Sequence, residues 1–177
     1  MFKSGVGFLA LFGLGWWLLG TSAFGGAARL VAVAAGGAAA IGLMLAARRI
    51  LSAVAEDPFT PERRRRFYQI NGVQWVLIAA VVMGCGRAGA PVLIAPLIAL
   101  VVGLHFLPLA AVFEQSRLRV QAVLLIAVGA AGLVIWLADG PDQAVRLVVG
   151  LAAGLCLWGT AAWTITGTAA AERALTQ

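Results

Sequence analysis

Residues 91–113 read PVLIAPLIALVVGLHFLPLAAVF, a run without any acidic residue, lysine or arginine. An α-helix rises about 1.5 Å per residue, so a run of this length reaches across a hydrocarbon core about 30 Å thick. A helix on the surface of a soluble domain needs a polar face, and this run offers none. The stretch therefore predicts a transmembrane helix.

The remainder of the chain has the same character. Of 177 residues, 62% are hydrophobic and 11% are charged, and the mean hydropathy is +0.98. Soluble globular domains are about 45–50% apolar and about 25% charged. This composition excludes a soluble enzyme fold, and it excludes disorder, which requires few apolar residues.

Six stretches are long and apolar enough to cross a bilayer. Thr60 is a suitable N-cap before the third, and Pro61 suits the first helical position. We expect an all-α polytopic membrane protein that forms one transmembrane domain over residues 1–177, a compact six-helix bundle with a cytoplasmic basic loop over about 48–65. The predicted helices cover about 4–24, 27–47, 66–86, 91–113, 120–138 and 143–167.

The basic residues predict the orientation. If both termini are cytoplasmic, only Arg29, Arg87 and Arg146 of the 13 lysines and arginines lie outside. Cytoplasmic loops carry an excess of Lys and Arg, so this segregation favours cytoplasmic termini. The remaining basic residues then lie inside, namely Lys3, Arg48, Arg49, Arg63, Arg64, Arg65, Arg66, Arg117, Arg119 and Arg173.

The basic loop also predicts a partner. Each basic residue near an anionic membrane surface contributes about 1 kcal/mol of attraction, so we expect contact with anionic lipid headgroups. Nucleic acid is not expected, because no stacking platform lies between the arginines. The residues concerned are Arg48, Arg49, Arg63, Arg64, Arg65 and Arg66.

Small residues recur at helical spacing in the predicted spans. Close backbone approach between such residues holds helices together in lipid. Gly150 and Gly154 form such a pair in the last span, and Gly129 and Gly132 bound a smooth patch in the fifth. We favour packing within one chain, and the seam of a homo-oligomer stays open as the alternative.

The fourth span carries the single histidine of the chain. Pro108 cannot donate to the carbonyl of Leu104, so we expect a kink beside His105. Counted along the hairpin of the third and fourth spans, Asn71 and Gln74 lie at the depth of His105, and Thr160 and Thr164 of the last span reach a similar level. We expect a buried polar layer of these five residues in the cytoplasmic third of the bundle.

This layer has two interpretations. Buried amides and hydroxyls can simply join helices, at about 0.6 kcal/mol per hydrogen bond. Intramembrane ionisable groups are otherwise rare and functional, which favours a solute, ion or proton site around His105. The first interpretation suits a scaffold or accessory subunit that acts through its Gly-rich faces and its basic loop, and the second suits a small transporter or channel.

An enzyme is the least favoured class. The acidic residues fall in loops or at helix ends, so no nucleophile and carboxylate converge within a span. One histidine and no paired carboxylates inside a span predict no metal site and no cofactor.

The segment Gly103-Leu104-His105-Phe106-Leu107-Pro108-Leu109-Ala110 resembles a motif of small six-helix bacterial membrane proteins. In that family an Arg-rich segment also precedes the third helix, as Arg63 to Arg66 do here. The resemblance implies a six-helix fold in a bacterial inner membrane. It implies no activity or substrate.

Overall fold

A computed structural model describes residues 2–50 and 60–175. These residues form six helices, and no strand occurs among them, so the expected all-α architecture is confirmed. Residues 51–59 of the predicted basic loop lie outside the described residues. The helices are α1 (Phe2–Thr21), α2 (Gly26–Ile50), α3 (Pro61–Arg87), α4 (Ile94–Phe113, after a 3-10 turn at Pro91–Leu93), α5 (Ser116–Leu137) and α6 (Asp142–Leu175).

Five of these helices, α2 to α6, are long and apolar enough to cross a membrane. The apolar part of α1, Gly5–Thr21, is shorter than that length. Such a set of helices is compatible with a multi-pass membrane protein in which a helical bundle fills the bilayer.

Two helices begin earlier than the predicted spans. Thr60 caps α3 as expected, because its Oγ1 accepts a hydrogen bond from the backbone N–H of Arg63 (3.3 Å) and Pro61 occupies the first turn. That helix therefore includes the arginine run, whereas the predicted span begins at 66. α5 begins at Ser116 instead of 120, since the long side chains of Arg117 and Arg119 are tolerated in a helix whose apolar part starts later.

The helices form a row in the order α2, α1, α6, α5, α4, α3, with antiparallel neighbours along the chain. α6 is central, since it contacts α1, α2, α4 and α5, whereas α3 packs only on α4 and the 3-10 turn within the described ranges. We call the end that holds the start of α1 the basic end, because α2 ends there at Arg48 and Arg49 and α3 begins there with its arginine run.

Small residues bring α6 against α1. A Cβ at Gly150 would overlap the backbone of Gly20, and a Cβ at Gly154 would lie 3.0 Å from the carbonyl oxygen of Gly13. Trp158 adds a hydrogen bond in the same interface, from its indole N–H to the carbonyl of Ala10 (3.0 Å). α1 is therefore fixed along most of its length by α6.

The glycines of α5 face two other helices. A Cβ at Gly129 would lie 2.7 Å from the carbonyl oxygen of Pro96, and one at Gly132 would lie 2.9 Å from the Pro96 side chain and overlap Val149. α4, α5 and α6 thus approach closely in the half of the bundle away from the basic end. α4 stays helical through Pro108, so the proline does not break it.

Candidate functional site

A cavity of about 290 Å³ lies in the half of the bundle nearest the basic end. α1 forms one wall, α3 and α4 form the other, and α6 lies between them. The five polar side chains expected to form a layer all line it, namely Asn71, Gln74, His105, Thr160 and Thr164. The folded chain thus brings together polar groups from three helices.

His105 projects from α4 toward α3. Its imidazole lies close to the main chain of Ile70 in α3. Its Nδ1 atom is buried and has no hydrogen-bond partner among the described residues. A buried polar atom without a partner carries a free-energy cost of about 1–3 kcal/mol, so this atom favours a polar ligand.

Asn71 and Gln74 of α3 lie one turn apart on the cavity wall. Asn71 donates from Nδ2 to the carbonyl of Phe67 in its own helix (2.8 Å). Its side-chain oxygen is not used by that bond and remains an acceptor. These amides line the same cavity as His105, and their direct pairing with the imidazole stays a prediction.

Thr160 and Thr164 form the α6 side of the cavity. Thr164 donates to the carbonyl of Thr160 (2.9 Å). The Thr160 hydroxyl lies within hydrogen-bonding distance of the Cys156 carbonyl (3.0 Å) and of the Gln121 carboxamide. Because a hydroxyl has one proton, Thr160 donates either to the Oε1 atom of Gln121 or to the Cys156 carbonyl, and both acceptors lie within its reach.

Gln121 is fully buried behind Thr160 and was missed by the sequence analysis. The Oε1 atom of Gln121 faces Thr160, and its Nε2 atom has no hydrogen-bond acceptor among the described residues. A span that begins at 120 would place Gln121 at the membrane surface. The actual start at Ser116 places it more than one turn inside α5, and an uncharged polar residue just inside a span was the available signal.

Aromatic rings form much of the apolar lining. Phe8 and Phe12 of α1 stack with centroids 4.1 Å apart, and Trp16 continues the same wall. On the other side, the rings of Phe67 and Phe113 are 6.0 Å apart. The cavity therefore combines apolar walls with a few polar groups, as sites for small molecules do.

One arginine lines the cavity, and other basic residues lie at the same end of the bundle. Arg117 lines it, and its guanidinium lies 5.3 Å from the centroid of the Trp163 ring. Arg63 is 3.7 Å from Glu114 in an exposed ion pair. The expected lipid-contact residues that the structure describes are all exposed at this end, namely Arg48, Arg49, Arg63, Arg64, Arg65 and Arg66.

No metal centre is formed by the described residues, which contain no group of three or more His, Cys, Asp or Glu side chains. Cys85 and Cys156 are free thiols.

No protein-family model, curated protein or solved structure matches the chain. The fold is compatible with a helical membrane bundle, and a cavity in one half of it is lined by a few polar side chains.

Proposed function

We propose that this chain is a small multi-pass transporter that binds a solute in the cavity around His105. The observation that carries the proposal is the convergence of five polar side chains from α3, α4 and α6 on one cavity. Discontinuities and cavities at membrane depth are where transporters place their substrate sites. In this proposal the chain crosses the membrane six times, and α1 is the sixth transmembrane helix.

The packing supports access from one side at a time. The cavity lies toward the basic end, while Gly129, Gly132 and Pro96 are in close contact in the other half. Such an arrangement corresponds to one state of an alternating-access cycle, because opening the tightly packed half would expose the site to the other side.

The charge distribution supports a location. With the basic end in the cytoplasm the chain obeys the positive-inside rule, and the motif at residues 103–110 resembles that of bacterial proteins. We therefore place the protein in a bacterial inner membrane. The exposed arginines of α2 and α3 lie where anionic headgroups would contact them.

The test is a flux assay on purified protein in liposomes. Proton, potassium, chloride and glycerol fluxes are measured across a range of pH for the wild type, His105→Ala and a matched control. Leu104→Ala is that control, because Leu104 is adjacent in sequence but 56% exposed on the outside of the bundle.

The proposal expects a flux that depends on pH in the wild type, since an imidazole titrates near neutral pH. His105→Ala should lower that flux at least tenfold, and Leu104→Ala should leave it unchanged. Equal loss in both variants would contradict a role for the cavity. Absence of every flux above protein-free liposomes would contradict transport itself.

A second candidate is an accessory subunit that holds a partner helix. It is favoured by α3, which packs on one neighbouring helix and exposes Trp75 and Val76 on its outer face. A fixed membrane partner that copurifies with the wild type, and is lost with Val76→Arg, would support this candidate. A monodisperse protein with a flux that depends on His105 would contradict it.

A further inference from the structure

The cavity is open on the side between α1 and α4. In the described ranges α1 packs on α2 and α6 but not on α3 or α4. Phe8 of α1 lines the cavity and is nevertheless 56% exposed, so this wall faces the exterior of the bundle as well. In a membrane, that exterior is acyl chain, and a ligand can therefore enter from the bilayer.

The volume of the cavity limits the size of its ligand. About 290 Å³ corresponds to roughly ten water molecules at about 30 Å³ each. A complete two-chain phospholipid is several times larger than this space, whereas a single chain with a small head group nearly matches it and can extend through the open side between α1 and α4. The stacked rings of Phe8 and Phe12, followed by Trp16, offer an apolar path for such a chain along α1.

The positive charge of Arg117 favours a ligand with an anionic head group. Arg117 is the only residue with a formal charge among the described lining residues, and no carboxylate lines the cavity in this part of the chain. The ion pair at this end joins Arg63 to Glu114. A cationic ligand would therefore meet a like charge and no counter-ion, whereas an anion would meet a guanidinium.

The guanidinium of Arg117 supplies the hydrogen-bond donors for an anionic head group. A guanidinium above an aromatic ring uses its flat face, and its N–H groups lie in the plane and point away at the edge. The Cζ atom of Arg117 lies 5.3 Å from the centroid of the Trp163 ring, and its terminal nitrogens lie against Gly167 of α6. A carboxylate or phosphate that reaches the open edge of this guanidinium would accept charge-assisted hydrogen bonds from it. Its position near the start of α5 is also the level at which headgroups lie.

We propose that the ligand of this cavity is a single-chain anionic amphiphile taken from the bilayer, held with its head group at Arg117 and its chain along α1 toward Trp16. This inference rests on the proposed function in using the same cavity as a binding site. It specifies the ligand class and does not require that the ligand be moved across the membrane.

The test uses dodecanoate brominated at its terminal carbon, titrated into the whole protein in a neutral detergent. Bromine quenches tryptophan on contact, so the dissociation constant and the position of the chain are both read from fluorescence. The comparison probe is dodecanol with the same bromine, which lacks the charge. Trp16→Phe identifies the part of the quenching that arises in the cavity.

Two arginine variants test the head group. Arg117→Gln should weaken dodecanoate binding about tenfold, the effect of losing one charge-assisted contact, and should leave dodecanol binding unchanged. Arg119→Gln is the matched control, because Arg119 lies two residues away on the same helix and is exposed. It should leave both probes unchanged.

Three results would overturn the inference: equal affinity for dodecanoate and dodecanol, equal effects of the two arginine variants, or quenching that Trp16→Phe does not reduce. Circular dichroism shows whether each variant remains folded. The liposome assay separates the two proposals. Dodecanoate binding that needs Arg117 without any flux contradicts transport alone, while flux that needs His105 without dodecanoate binding contradicts the ligand class alone.

Discussion

Thr160 of α6 and Gln121 of α5 are hydrogen-bonded to each other through their side chains, and both residues are buried. This contact joins the cavity wall to the helix behind it. Thr160 also faces the cavity, so the bond orients a group that a ligand would meet. The pair therefore connects packing of α5 on α6 with the geometry of the site.

A first prediction concerns the energetic coupling between Thr160 and Gln121. Substitution of each residue alone and of both together should show it. Thr160→Val leaves the buried Gln121 carboxamide without its partner, which costs about 1–3 kcal/mol. Gln121→Leu should cost less, because the Thr160 hydroxyl keeps the Cys156 carbonyl as an acceptor. The double variant leaves no orphan, so its loss of stability should be smaller than the sum of the two. The expected coupling is about 0.6 kcal/mol, with about 1.7 kcal/mol as an upper value in membrane helices.

The measurement is a double-mutant cycle on the free energy of unfolding in mixed micelles. Thr166→Val is the control, because Thr166 is exposed and its hydroxyl donates to carbonyls of its own helix. Strict additivity of Gln121→Leu and Thr160→Val would contradict the contact.

The polar residues of the cavity could be identified from depth alone, because a span fixes how far each residue lies from the membrane surface. His105, Asn71 and Thr160 were placed at one level in this way. Depth does not determine which side chain bonds which neighbour, since that depends on helix rotation. For this reason the approach of His105 to the backbone of Ile70, and the contact of Gln121 with Thr160, had to come from the structure.

The number of helices was predictable, whereas their order in space was not. An apolar side chain is equally suited to acyl chains and to a helix interface. Val73 and Val76 of α3 are exposed, while Val145 and Val149 of α6 are fully buried, yet the residue types are identical. Hydropathy therefore locates spans, and small residues such as Gly150 are the better guide to buried faces.

A second prediction concerns Gly150. Gly150→Ala places a methyl group against the backbone of Gly20 and the carbonyl of Trp16, and backbone atoms cannot move aside as a flexible side chain can. Overpacking of this kind costs about 1–3 kcal/mol, so the variant should unfold at a lower temperature.

Gly159→Ala is the matched control on the same helix. A Cβ at Gly159 meets nothing within 4 Å. Alanine is favoured over glycine inside a helix by about 0.5–1 kcal/mol, so this variant should be neutral or more stable. Equal destabilisation by the two alanines would contradict the close contact of α1 with α6.

A third prediction concerns the end of α4. Glu114 adopts a left-handed conformation there, with φ of 54°. Glycine is the preferred residue for that position, so Glu114→Gly should stabilise the fold by up to about 1 kcal/mol despite losing the ion pair with Arg63. An exposed pair of this kind contributes about 0–1 kcal/mol.

Glu114→Gln separates the two effects, because it removes the charge and keeps the strained backbone. It should change the free energy of unfolding by less than about 0.5 kcal/mol. If Glu114→Gln is the more destabilising variant and Glu114→Gly gives no gain, the ion pair outweighs the backbone conformation.

The orientation of the bundle gives the last prediction. In a background of Cys85→Ala and Cys156→Ala, single cysteines are introduced by Arg65→Cys at the basic end and by Arg87→Cys at the end of α3, both exposed positions. A maleimide that cannot cross membranes should label intact cells at position 87 and not at position 65, because the membrane potential and anionic inner leaflet retain basic segments in the cytoplasm. Permeabilised cells should then show labelling at both positions.

Arg65→Cys leaves Arg63, Arg64 and Arg66 in place, so the variant itself should not invert the protein. Labelling of position 65 in intact cells would place the cavity mouth outside, and both the proposed location and the source of its ligand would have to be reversed.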